Sequence, residues 1–245
     1  MKKTAVLFFM LASTNVFASD ANRSWEAAPV YYPESAEQRK VSDLDTLGKT
    51  YPVVIYMHGC SGIRPQHDGN WARTLANKGY IVIQPDSFAR QGRVANCDSD
   101  TKKPTGAFRN WAEYREQEIN YAIEQVKKSK WATSQPVFLM GQSEGAIATA
   151  LRSQPGFNAH VIMSWTCTSK DYSMYDGLRS PKNIPVLSIN NASDPWFNGT
   201  SFDGKCVDRA DGRTVTPFVI PGHGHGTFGQ TQAQVVDKFF KDSTK

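Results

Sequence analysis

The sequence predicts an α/β fold in one domain: a mostly parallel central sheet with helices on both faces. Three observations carry this reading. Short, largely apolar runs recur along the chain, at 52–57, 80–84, 136–140, 160–164, 185–189 and 215–220. Runs apolar on successive residues, rather than on alternate ones, mark strands buried on both faces. Segments with helical spacing of apolar residues lie between several of these strands, which is the pattern of a parallel sheet covered by crossover helices. The chain has 245 residues, enough for one large domain with a single core. It shows no repeat, low-complexity tract or domain boundary.

Taken in order, the elements begin with a leader. Lys2 and Lys3 form a positive start, Ala5 to Ala12 an apolar stretch too short to span a bilayer, and Val16-Phe17-Ala18 a small-residue cleavage signal. Cleavage is expected after Ala18, making residues 1–18 a signal peptide and 19–245 the domain; an uncleaved N-terminal anchor is the alternative. No cysteine follows the apolar stretch, which argues against lipoprotein processing. Residues 19 to 49 are polar and read as an N-terminal strand or arm over the core. Pro52 to Met57 is a strand, Trp71 to Lys78 a short helix closed by Gly79, and Tyr80 to Gln84 the next strand. A long loop, 85–105, carries Cys97 and leads to a helix over 108–128. Pro136 to Met140 is a strand followed by a small-residue helix, Ala146 to Leu151. Two further strands, a Gly-, Asp- and Asn-rich loop over 191–213 and a last strand precede a final helix, Gln230 to Lys241. That helix carries Val235, Val236, Phe239 and Phe240 on or near one face. The 191–213 loop is long enough to be functional.

Composition bounds the function. With 40% hydrophobic and 21% charged residues, the chain reads as an ordinary soluble globular protein. The net charge is +5. Two of these charges lie in the leader, leaving +3 without it, and no basic run is present. Nucleic-acid binding and stable membrane insertion after cleavage are therefore not expected. Cys60, Cys97, Cys167 and Cys206 make an even count in a chain expected to be exported, which favours two disulfides with three possible pairings. The preferred pairing is Cys60–Cys97 and Cys167–Cys206, each stapling a loop after one strand to a loop after a later one. None sits in a C-x-x-C pair, so neither a zinc nor a redox motif is expected.

The chemistry points to Gly141-Gln142-Ser143-Glu144-Gly145, between an apolar strand and a small-residue helix. A serine on such a strand–turn–helix junction stands exposed at the top of a sheet, where it can attack a carbonyl. A serine hydroxyl is a weak nucleophile and needs a base, and the base needs an acid to orient it. Asp194 follows the strand at 185–189, and His225 follows the strand at 215–220. Strand ends on one rim of a parallel sheet are where such groups converge. His223 competes as base; His225 is preferred as nearer the last helix. Asp203, Asp208 and Asp211 compete as acid, with Asp194 nearest a strand end. The oxyanion needs backbone N–H donors placed in advance. Glu144, after the nucleophile, is one candidate; Cys60 in His58-Gly59-Cys60-Ser61-Gly62 is the other, with Ser61 second.

These pieces, with Pro85-Asp86-Ser87-Phe88, Arg93, Cys97 and Pro221-Gly222-His223-Gly224-His225-Gly226, resemble the dienelactone hydrolase family of the α/β-hydrolase superfamily over about residues 50 to 240. The resemblance implies hydrolysis of small-molecule carboxylic esters or lactones, with no metal or other cofactor. Two departures weigh against the dienelactone as natural substrate: the best-known members use cysteine where this chain has Ser143, and they are cytosolic. Glu144 is also unusual beside the nucleophile, and its carboxylate is expected to point away from the oxyanion.

Phe88, Trp165, Trp196 and Phe197 sit near strand ends and could line an acyl pocket as well as pack the core. Arg90 and Arg93 could meet a substrate carboxylate, although a solvated loop is the default for both. His67 and Asp68 on a Gly/Pro-rich loop make a poor metal site. The expectation is an exported, periplasmic or secreted bacterial serine esterase. A peptidase or amidase, an acyltransferase, and a non-catalytic binding protein of the same fold are the rivals.

Overall fold

A computed structural model describes residues 14–245 apart from Glu34 and Ser99. Most of the expected leader, including its charged start, lies outside the described residues. The elements run α1 (Thr14–Glu26), β1 (Pro29–Tyr32), β2 (Ser35–Lys40), β3 (Val53–Met57), α2 (Asn70–Ala76), β4 (Ile81–Ile83), β5 (Cys97–Asp98), β6 (Lys103–Pro104), α3 (Trp111–Lys128), β7 (Val137–Gln142), α4 (Glu144–Leu151), β8 (Ala159–Met163), β9 (Val186–Ser193), β10 (Val215–His223) and α5 (Gln230–Asp242). Eight strands form one sheet in the order β10-β9-β8-β7-β3-β4-β1-β2. The six from β10 to β4 are mutually parallel, and β1 and β2 extend the sheet antiparallel at one edge. A mostly parallel sheet is what the apolar runs predict, and the architecture is the α/β-hydrolase one that the family resemblance implies.

Successive residues of the central strands serve opposite faces. Val53, Ile55 and Met57 of β3, with Val137 and Leu139 of β7, pack under Ile119, Ala122, Ile123 and Val126 of α3. Val54, Tyr56, Phe138 and Met140 face the other way, against Trp71 and Leu75 of α2 and Val236 and Phe240 of α5. All of β3 and β7 is buried, and burial on both sides explains why their sequences read as continuous apolar runs. On α3 the buried residues fall at 111, 115, 118, 119, 122, 123 and 126, the stripe of a helix with one face inward. Arg115 and Glu118 belong to that stripe. They are buried charges, and they face the site rather than the apolar core.

Two expectations change. The 19–49 segment supplies the strand that is one of its two expected forms, but it holds more than one element. Helix α1 runs across the expected cleavage point at Ala18 and on to Glu26, and a hairpin of β1 and β2 follows. Strand β2 shows no apolar alternation because it is the sheet edge, where Glu37, Arg39 and Lys40 meet solvent and discourage further strand pairing. The 85–105 loop is also not plain, since it holds the two-stranded β5–β6 hairpin. Both disulfides pair as the cysteine positions suggest, Cys60–Cys97 and Cys167–Cys206, with Cα–Cα distances of 5.8 and 4.8 Å. Two such bonds fit an oxidising environment. No helix among the described residues is long and apolar enough to cross a membrane.

Two buried histidines set a pH dependence. Burial, reinforced by the Arg115 charge, pushes His58 well below its ordinary 6.5, and burial with Arg152 pushes His160 down to about 3. In the unfolded chain each imidazole takes up a proton near pH ~6.5. Between pH ~6.5 and the lowered folded values, the unfolded chain therefore binds more protons than the folded one, and stability falls as pH drops. Each histidine contributes at most ~1.4 kcal/mol per pH unit to that slope. Denaturant midpoints measured from about pH 7 down to about pH 4 should fall steadily, and His160→Gln should flatten the curve. An unchanged slope in that variant would remove His160 from the account.

Candidate active site

The Gly141–Gly145 turn joins β7 to α4, and the geometry explains both glycines. A Cβ on Gly141 would stand 2.2 Å from the Gly145 carbonyl oxygen, and one on Gly145 would stand 2.1 Å from that of Met57. Backbone atoms that close leave no room for a side chain. Between them Ser143 takes φ 56° and ψ −117°, a strained conformation for a residue with a Cβ. The strain lifts the half-buried serine above the sheet end.

Ser143, His225 and Asp194 are hydrogen-bonded in series. His225 Nε2 lies 2.9 Å from Ser143 Oγ, and His225 Nδ1 lies 2.8 and 3.0 Å from the two Asp194 carboxylate oxygens. A carboxylate cannot donate, so Nδ1 carries the proton and Nε2 is left to accept from the serine hydroxyl. Asp194 is 5% exposed, and its Oδ1 also accepts from the Trp196 N–H at 3.0 Å. Among the described residues the His223 ring reaches Ser193 Oγ, at 3.3 Å, rather than Ser143 or Asp194, and His223 is exposed. Among the rival acids, Asp208 accepts from the Lys205 N–H and Asp211 pairs with Lys182 and Arg213. Asp203 lines a cavity of about 280 Å³ whose lining includes Asp194 but neither Ser143 nor His225.

The loop bearing His225 is pinned by residues that sequence reasoning missed. The His225 carbonyl accepts from Gln142 Nε2 at 2.9 Å and Ser164 Oγ at 2.6 Å. Thr227 Oγ1 donates to Gln142 Oε1 at 3.0 Å, and the Thr227 N–H donates to His67 Nε2 at 3.0 Å. His67 Nδ1 in turn meets Asp68 Oδ1 at 2.8 Å, and Asp68 also accepts from Tyr56 Oη and the Arg64 N–H. His67 and Asp68 thus serve to dock the histidine loop. Gln142 was in plain view inside the pentapeptide; its role needs the fold to bring residue 225 beside it.

Two backbone N–H groups border the serine. Glu144 is the first residue of α4, so its N–H lacks an intrahelical partner. The Cys60 N–H follows Gly59, whose Cβ position lies 3.5 Å from Ser143 Cβ. Neither N–H is engaged in a hydrogen bond among the described residues. The Glu144 side chain is 4% exposed and turned into a cluster of charges, its Oε1 2.5 Å from Arg93 Nη2 and 3.1 Å from Arg115 Nε. Arg90 and Arg93 correct the expectation of a solvated loop: they are 2% and 5% exposed. Arg90 pairs with Asp20 and Glu118, and Arg93 with Glu144. Neither is offered to a substrate carboxylate.

The aromatic candidates separate. Trp165 is 2% exposed and packs edge-on against Phe197. The rings of Trp196 and Phe197 lie 5.2 and 5.6 Å from that of His225. Phe88 is half-buried, 5.7 Å from the His58 ring.

The fold is shared with several solved esterases and hydrolases. Est1E from Butyrivibrio proteoclasticus superposes with a TM-score of 0.57 at 13% identity, over 89% of this chain and 93% of that one. An S-formylglutathione hydrolase from Agrobacterium tumefaciens gives 0.55 at 17%, over 88% of each chain. The esterase Est2 of Thermogutta terrifontis gives 0.54 at 13%, again over 88% of each. At such identities the likeness is one of fold. No curated protein matches the chain by sequence. The model of the dienelactone hydrolase family matches residues 39–163, more than half of the 245-residue chain. The matched stretch contains β3, the 58–62 loop and the Ser143 elbow, and ends with β8, before Asp194 and His225. On the strength of that match, set on this sheet and this elbow, the chain belongs to the dienelactone hydrolase family.

Proposed function

We propose that the protein is a serine hydrolase that cleaves carboxylic esters or lactones of small molecules through an acyl-enzyme. The observation that carries this reading is the unbroken Asp194–His225–Ser143 hydrogen-bond series at a strained elbow. Ser143 Oγ attacks the carbonyl carbon as His225 Nε2 takes its proton. Asp194 holds the imidazole in the required tautomer and stabilises the imidazolium. The N–H groups of Cys60 and Glu144 receive the oxyanion. Collapse of the tetrahedral adduct breaks the bond to the alcohol oxygen, which leaves with the proton from His225. Water then attacks the acyl-enzyme, giving its proton to the same imidazole, and the acid departs as Ser143 is reprotonated. Trp196 and Phe197, packed against the His225 ring, flank the acyl or alcohol group. The protein works outside the cytoplasm, a reading supported by the charged and apolar start of the chain and by the two disulfides.

The test is hydrolysis of short and medium p-nitrophenyl esters, run beside labelling with a fluorophosphonate probe. Turnover together with a label on Ser143 is the expected result, and the chain-length profile then sizes the pocket. Folded protein that neither turns over any ester nor takes the label would overturn the reading.

A further inference from the structure

Arg115 is buried without exposure at the site, and it touches both of the loops that carry the N–H donors. Its Nη2 donates to the His58 carbonyl at 2.9 Å and the Gly59 carbonyl at 3.3 Å. Its Nε and Nη2 reach Glu144 Oε1 at 3.1 and 3.0 Å, and its Nη1 reaches Glu118 Oε2 at 3.3 Å. The Gly59 carbonyl has further donors. His58 Nε2 accepts the Ser87 N–H at 3.1 Å, so the ring proton sits on Nδ1, which donates to Gly59 O at 2.7 Å. The Gly62 N–H closes a turn onto the same oxygen at 3.3 Å.

A trans peptide is planar, with its C=O and N–H pointing in opposite directions. No peptide among the described residues is cis. Holding the Gly59 carbonyl toward Arg115 and His58 therefore turns the Cys60 N–H the other way. A peptide that follows a glycine is easily rotated, so it needs such anchoring to keep one orientation. Glu144 poses the second problem, a carboxylate one residue from the nucleophile. The two guanidinium groups draw it down and away, leaving its N–H free at the helix start.

We propose that Arg115 is the positioning residue of the oxyanion site, fixing the Gly59–Cys60 peptide and the Glu144 carboxylate together so that both N–H groups face the reacting carbonyl oxygen. The proposal rests on the serine-hydrolase reading. It goes beyond it by assigning the quality of the oxyanion site to one side chain that never meets substrate. Its signature is a loss expressed in the transition state alone, with ground-state binding untouched.

The test compares wild type with Arg115→Lys, which keeps a positive charge for Glu118 and Glu144 but loses the fork that spans both loops. Glu144→Gln, which keeps the side-chain volume, is the second variant. Active sites are counted by fluorophosphonate titration, so rates are per functional site. For Arg115→Lys, kcat per site should fall about 10- to 100-fold, short of the ~10²–10³ expected for deleting a donor outright. KM should stay within about threefold, and the pH profile of kcat/KM should not move. Inhibition by a trifluoromethyl ketone, which forms an oxyanion adduct with the serine, should weaken in proportion to kcat/KM. Glu144→Gln should show the same proportionality with a smaller loss. A normal kcat per site with only a lowered melting temperature or active fraction would make Arg115 structural and overturn the proposal. If Arg115→Lys does not fold, an unchanged per-site kcat in Glu144→Gln overturns it as well. These outcomes stand apart from failure of the function itself, in which wild type would show neither turnover nor label.

Discussion

Ser143→Ala is expected to lower kcat by a factor of about 10³ to 10⁶ while leaving the fold intact. Among the described residues the side chain contributes one hydrogen bond, to His225 Nε2, whose loss costs about 1 kcal/mol of stability. Alanine keeps the Cβ, so the strained φ of 56° is neither relieved nor worsened. On the proposed mechanism what disappears is the nucleophile, and the residual rate comes from substrate binding and the oxyanion donors alone. The three residues act as one unit, so Ser143→Ala combined with His225→Ala should be no slower than the worse single variant. His223→Ala, in the same assay, should stay within about threefold of wild type, because among the described residues the His223 ring hydrogen-bonds to Ser193 Oγ and not to Ser143 or Asp194. Steady-state kinetics on one ester, with a melting curve for each variant, decides the matter. A Ser143→Ala protein that kept most of its activity would move the chemistry elsewhere.

Much of this site is readable from the sequence because the strands that present it are buried on both faces. Val53–Met57 and Val137–Gln142 advertise themselves as apolar runs, and residues just beyond such runs fall at sheet ends. The order Ser143, Asp194, His225 then follows from which strand each residue comes after. What stayed hidden depends on partners distant in sequence. Gln142 and Ser164 clamp the His225 carbonyl from positions 83 and 61 residues away. A polar residue at a strand end looks the same whether it meets solvent or another loop. Arg90 and Arg93 read as solvated because arginine usually is. They are buried because Asp20, Glu118 and Glu144 surround them, and nothing local announces those pairs. At the edge the pattern fails for a different reason. Strand β2 meets solvent along most of its length, so its sequence carries charge where the inner strands carry apolar residues.

Gly145→Ala should cost both activity and stability, by a route unrelated to loss of the serine. The new Cβ would lie 2.1 Å from the Met57 oxygen, 2.5 Å from the Met57 carbonyl carbon and 2.7 Å from the His58 oxygen. All three are backbone atoms, so no side chain can rotate aside. Relief requires the start of α4 to withdraw from the end of β3. The Glu144 N–H and Ser143 move with the first, and the loop to Cys60 continues from the second. A separation of about 1 Å between reacting groups is enough to cost roughly 100-fold in rate, and overpacking of this kind costs ~3 kcal/mol or more when nothing can yield. Gly79→Ala provides the contrast. Gly79 has φ +103° but nothing within 4 Å of its Cβ position, so alanine there meets conformational strain alone, about 1–2 kcal/mol, with kcat unchanged. Melting temperatures and per-site kcat for the two variants separate collision from strain. If Gly145→Ala matched Gly79→Ala in both, the contact between α4 and β3 would be adjustable, and the close approach could no longer explain why the elbow carries glycine at that position.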